Sequence, residues 1–140
     1  MVVNVVKISQ THTTVGGAVR EAFGVVIPSY LAGKYLVGMN IGYVTTASAV
    51  SFNDGQILMG TDNPYHFFPE DRVLVSSPTV IPSGNWGVNL WGNVNFPVGA
   101  LIYFGIEIIY SNEAINVFDW SQLNSVNYPI KPVQNGIIQG

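Results

Sequence analysis

The sequence predicts an all-β fold: an antiparallel β-sandwich or jelly roll of about eight strands over residues 1–110, with an extended C-terminal arm over residues 111–140. Three observations predict it. In Lys34–Val44 the odd positions Tyr35, Val37, Met39, Ile41 and Tyr43 are all apolar, and the even positions hold Leu36, Gly38, Asn40, Gly42 and Val44. Period-two alternation places those sets on opposite faces of a strand, one bulky and one small enough for another body to approach closely. Leu101–Tyr110 repeats the pattern, with Ile102, Phe104, Ile106, Ile108 and Tyr110 on one face. Turn signals punctuate the chain at short, even intervals: Gly16-Gly17, Pro28, Asn53-Asp54-Gly55, Asp62-Asn63-Pro64, Pro82-Ser83-Gly84 and Phe96-Pro97.

Between these signals the elements follow in order. Val2–Ile8 alternates and reads as a strand, and Thr14–Phe23 as a short helix. Ala22–Ile27, Lys34–Val44, Ala47–Phe52 and Gln56–Gly60 read as strands, the last two joined by a hairpin turn at Phe52-Asn-Asp-Gly-Gln56, whose residues tolerate positive φ. Arg72–Ser76, Trp86–Val94 and Leu101–Tyr110 complete the set. The second face of Leu101–Tyr110 is apolar except for Glu107, so this strand is expected to be covered on both sides. From Ser111 the alternation fades. Asn112, Asn116, Asn124, Asn127, Asn135, Pro129 and Pro132 indicate an extended arm, and Phe118, Trp120, Ile137 and Ile138 are its anchors on the domain or on a neighbour.

Charge sets the next constraint. The chain has five Lys plus Arg and eight Asp plus Glu, while 48% of its residues are hydrophobic. Independent soluble domains carry about a quarter charged residues. Surface so poor in charge is expected to be covered by other copies of the chain, in a homo-oligomer of trimer size or larger. The five cations are scattered, so there is no basic patch to neutralise phosphates, and direct nucleic-acid binding is disfavoured. The absence of cysteine removes disulfides and thiolate chemistry. The apolar N-terminus is interrupted by Asn4 and lacks a basic lead, which does not fit a signal peptide, and Val98–Tyr110 is too short for a membrane span.

Chemistry-bearing groups are few. His12 and His66 lack metal-ligand spacing, and no Gly-x-Ser-x-Gly elbow or triad pattern occurs, so no catalytic residue and no cofactor is expected. His66, within Tyr65-His66-Phe67-Phe68, reads as a loop residue among aromatics. Glu70-Asp71-Arg72 is either a solvated turn or a calcium ligand cluster, and Asp54 and Asp62 are turn formers. Glu107 would be costly if buried alone and is expected to reach Arg20, Lys34, Arg72 or a neighbouring subunit. The one suggestive segment is Asn85–Phe96. Trp86 and Trp91 interleaved with Asn85, Asn89 and Asn93 (and Trp120 in the arm) form the inventory of a sugar site or of a protein interface. Parity with Val88 and Leu90 equally allows Trp86 to be core.

The alternating Lys34–Val44 and Leu101–Tyr110 strands, the Asn- and Gly-rich low-charge surface, the absence of cysteine and the Ser111–Gly140 arm together resemble small β-sandwich structural proteins of bacterial or archaeal viruses, of the capsid, decoration or spike type. The resemblance implies a non-enzymatic virion subunit, made in the host cytoplasm and carried in the virion, whose partners are itself and other virion proteins. The alternative is a carbohydrate- or receptor-binding module that grips a host glycan through Trp86 and Trp91.

Overall fold

The computed structural model describes residues 3–60, 63–67 and 72–114 of the chain. Among these lie eight strands: β1 (Asn4–Thr13), β2 (Arg20–Val25), β3 (Tyr35–Thr45), β4 (Phe52–Met59), β5 (Asn63–Phe67), β6 (Arg72–Val80), β7 (Trp86–Gly92) and β8 (Leu101–Ser111). A single 3-10 turn, Ser29–Leu31, is the only helical element among the described residues. No described helix is long and apolar enough to cross a membrane.

All strand pairs are antiparallel. One sheet runs β1-β8-β3-β6 and the other β2-β7-β4-β5. The pairings β1 with β8, β2 with β7, β3 with β6 and β4 with β5 are nested, as in one long hairpin folded at the β4–β5 connection. Two further pairings, β3 with β8 and β4 with β7, roll that ribbon into two sheets.

One apolar core joins the sheets. Val37, Met39 and Ile41 of β3 and Ile102, Phe104, Ile106 and Ile108 of β8 face Ile57 and Met59 of β4 and Trp86, Val88 and Leu90 of β7. Aromatic pairs bridge the gap edge-on: Phe23 with Phe104 at 5.6 Å, and Tyr43 with Phe52 at 4.6 Å between ring centroids. Each such side chain removed from water contributes about 1.5–3 kcal/mol.

Several expectations are corrected. The register of β3 shifts between Leu36 and Gly38, so Leu36 and Val37 are both buried, while Tyr35 at the strand start is only partly covered. The outer face of β8 is not covered throughout, because Tyr103 is 46% exposed. The short helix at Thr14–Phe23 is absent. Gly16 and Gly17 adopt φ of 81° and 78°, which an α-helix excludes, and β2 begins at Arg20. Of the expected strand Ala47–Phe52, residues 47–51 form a tight turn, closed by Val50 N–H donating to the Ala47 carbonyl, which turns Ala47 and Val50 inward, and only Phe52 is strand, as the first residue of β4. The expected hairpin at Phe52–Gln56 lies inside β4: Asn53 is absorbed as a bulge between Phe52 and Asp54, and Gly55 pairs with Leu90 on one side and Phe67 on the other. Two partner strands outweigh the local turn preference of Asn-Asp-Gly. His66 lies in β5 opposite Gln56, not in a loop. Pro64 is tolerated there because β5 is an edge strand.

Candidate functional site

The Asn85–Asn95 segment does not converge on a ligand. Trp86 is 2% exposed and packs in the core with Val88 and Leu90, so its ring offers no face to a sugar. Trp91 points outward from β7, partly covered, between its cross-strand neighbours Arg20 and Asp54. The amides secure the chain to itself. Asn85 Oδ1 accepts from Ile27 N–H at 3.2 Å, Asn93 Oδ1 accepts from Ser51 N–H at 2.8 Å, and Asn89 Nδ2 donates to Gln56 Oε1 at 3.0 Å. Trp120, Glu70 and Asp71 lie outside the described residues. Asp54, expected as a turn former, lies inside β4, where its Oδ1 accepts from the following Gly55 N–H at 2.8 Å. Among the described residues no three His, Cys, Asp or Glu side chains cluster in a way that could hold a metal ion.

What the fold assembles instead is an apolar end. Three connections meet there: residues 14–19 between β1 and β2, 46–51 between β3 and β4, and 93–100 between β7 and β8. None of their residues is charged. Val15 is 74% and Val98 81% exposed, and Val19 and Val94 add further apolar surface beside them. Exposed valines on a loosely held loop would be unremarkable. These are held firmly. Gly17 N–H donates to the Phe96 carbonyl, Phe96 N–H to Ala18, Gly92 N–H to Val19, and Thr14 N–H to Ala100. The Thr14 hydroxyl donates to the Pro97 carbonyl and accepts from Ala100 N–H. At Gly16 the chain passes directly under Val98: a Cβ there would stand 2.6 Å from Val98 N. Gly16→Ala therefore combines a positive φ with a backbone clash and is expected to lower stability by about 2–4 kcal/mol, read from the urea midpoint.

Beneath this end lies Glu21, 2% exposed on the inner face of β2. Its carboxylate accepts from Val15 N–H at 2.8 Å and Gly16 N–H at 2.9 Å and pairs with His12 Nε2 at 2.9 Å. Burial alone raises the pKa of this carboxyl. The bonds from His12, Gly16 and Val15, together with the charge of His12, outweigh that and hold it below its ordinary value. The His12 ring in turn stacks on Phe23 at 4.7 Å, and Gln10 Nε2 donates to the Gly24 carbonyl at 2.6 Å. Side chains thus close the corner between the edge strands β1 and β2.

Glu21 belongs to no sequence motif that marks it as functional. The available signal is parity: Glu21, Phe23 and Val25 share one face of a strand, so the carboxylate falls on an apolar side. Its partner His12 is brought by the register of another strand, which the local pattern does not contain. Glu107 is partly exposed and meets Lys7 Nζ at 3.7 Å and Asn40 Nδ2 at 3.4 Å. The cation beside Glu107 is Lys7, which is not among the expected ones, and the pairing of β1 with β8 brings it there. No protein-family model matches the chain, and neither does the sequence of any curated protein.

Proposed function

We propose that the chain is a non-enzymatic structural subunit of a virion, a jelly roll that assembles with copies of itself into a trimer or larger and then with other virion proteins. The nested pairing of strands, rolled into the sheets β1-β8-β3-β6 and β2-β7-β4-β5, supports the jelly-roll reading. Viral capsid domains use that architecture. The observation that carries the assembly reading is the rigid, charge-free end bearing Val15 and Val98. Interfaces that stay closed are depleted in charge at their centre and pack preformed surfaces. An end without charge also brings identical copies together without like-charge repulsion.

Light scattering on the purified chain tests this reading. The unaltered protein is expected at trimer mass or above. Val15→Asp combined with Val98→Asp should shift it toward monomer while the β circular-dichroism spectrum is kept, since both side chains are exposed. A stable monomer of the unaltered chain at high concentration overturns the proposal.

A further inference from the structure

The outer face of the β1-β8-β3-β6 sheet carries a trench whose floor has almost no side chains. Ser9, Gly105 and Gly42 are cross-strand neighbours on β1, β8 and β3. Two hollows of about 580 and 590 Å³ share these three residues. Neither glycine is required by the fold. Neither has a positive φ. A Cβ on Gly42 would meet nothing within 4 Å, and one on Gly105 only the Ile8 carbonyl at 4.0 Å. Glycine inside a strand weakens it, and it commonly marks a place where another body approaches closely. Among the described residues nothing fills the space above Gly42.

The walls indicate what the body is. On one side Lys7, Glu107, Asn40 and Arg72 form a continuous cross-strand row over all four strands of the sheet. Glu107 is offset by Lys7 at 3.7 Å, whereas Arg72 forms no ion pair among the described residues. On the other side stand Tyr103, 46% exposed, and Val44. The two walls are four residues apart along β8, about 13 Å, which admits a single row of flat rings. Of the three floor residues Gly105 is paired on both sides, Ser9 lies on the edge strand β1 and Gly42 lies beyond the last β3–β6 pair, so a peptide lying across this face would add no ladder to β8. A short oligosaccharide would suit every part: the apolar face of one ring can stack on Tyr103, hydroxyls can bond the planar groups of Glu107 and Asn40, and a carboxylate on a further ring can take both arms of Arg72.

We propose that this trench binds an acidic oligosaccharide, with Tyr103 as the stacking face, Arg72 as the carboxylate site and the Gly42–Gly105 floor as the clearance that lets the rings lie flat. The site is separate from the valine-bearing end, and the proposal does not depend on the assembly reading.

Titration calorimetry with oligogalacturonate and sialyllactose as acidic probes, and cellotetraose and lactose as neutral ones, tests it on the full chain. At least one acidic probe is expected to bind, and at least tenfold more tightly than the neutral ones. Tyr103→Ala and Arg72→Gln should each weaken it tenfold or more. Gly42→Val should abolish it while leaving thermal stability equal or higher, because a valine fits an open strand position. The proposal is overturned by absence of binding to either acidic probe, by equal binding of the neutral ones, or by unchanged affinity in Gly42→Val. It is also overturned if Gly42→Val instead changes the mass of the assembly, which would make the trench a contact between copies.

Discussion

Val37→Asp is expected to leave no folded domain. Val37 is completely buried at the register shift of β3, in the sheet interior between β8 and β6. A carboxylate there would lose its water without gaining a partner, at a cost of several kcal/mol, and the valine's own burial would be lost as well. Stabilities of single domains are about 5–15 kcal/mol, so this one change removes most of the margin. β3 also borders two strands at once. Displacing it opens both of its ladders. Circular dichroism should show the β signal and its cooperative melt gone, and a cooperative transition retained in Val37→Asp would contradict the placement of this face.

Replacing Glu21 by Gln should cost about 3 kcal/mol, in the range for breaking a buried hydrogen-bonded charge pair. One carbonyl oxygen would have to serve the two amides of Val15 and Gly16, and an NH2 group would face donors. The pH dependence separates this from a mere packing defect. Because the folded carboxyl titrates below its ordinary value, the ionised form contributes stability that is fully present above the unfolded pKa, about 4.3. That contribution is lost as pH falls through the lower folded pKa. Urea midpoints followed from about pH 7 to about pH 3 should therefore fall more steeply for the unaltered chain than for Glu21→Gln. The gap between the two proteins should narrow toward the acid end. Parallel curves would mean that Glu21 does not act as a buried anion.

The strands with strong alternation were legible in the sequence because burial on one face writes itself into every second residue. Val37, Met39 and Ile41, and Ile102 through Ile108, fill the core by parity alone. Weakly patterned segments were not legible. β5 carries Pro64 and sits at a sheet edge, and nothing within its five residues distinguishes it from a turn. The candidate site suffered in the same way. The Trp and Asn inventory of Asn85–Asn95 is real as composition, but one ring fills the core and the amides close the protein's own turns.

By itself the sequence determined an all-β chain, the bulky inner faces of β3 and β8, the small residues Gly42 and Gly105 on their outer faces, and a surface poor in charge. These are properties of composition and of a two-residue period, and each is present within a few neighbouring positions. Only the tertiary structure decided which strands pair, that Asn53 is a bulge and not a turn, that Lys7 meets Glu107, that His12 and two backbone amides meet Glu21, and that three uncharged loops share one end. Each of those joins residues far apart in the chain through a strand register. Register is settled by the cooperative closure of the whole core, and no single segment carries it.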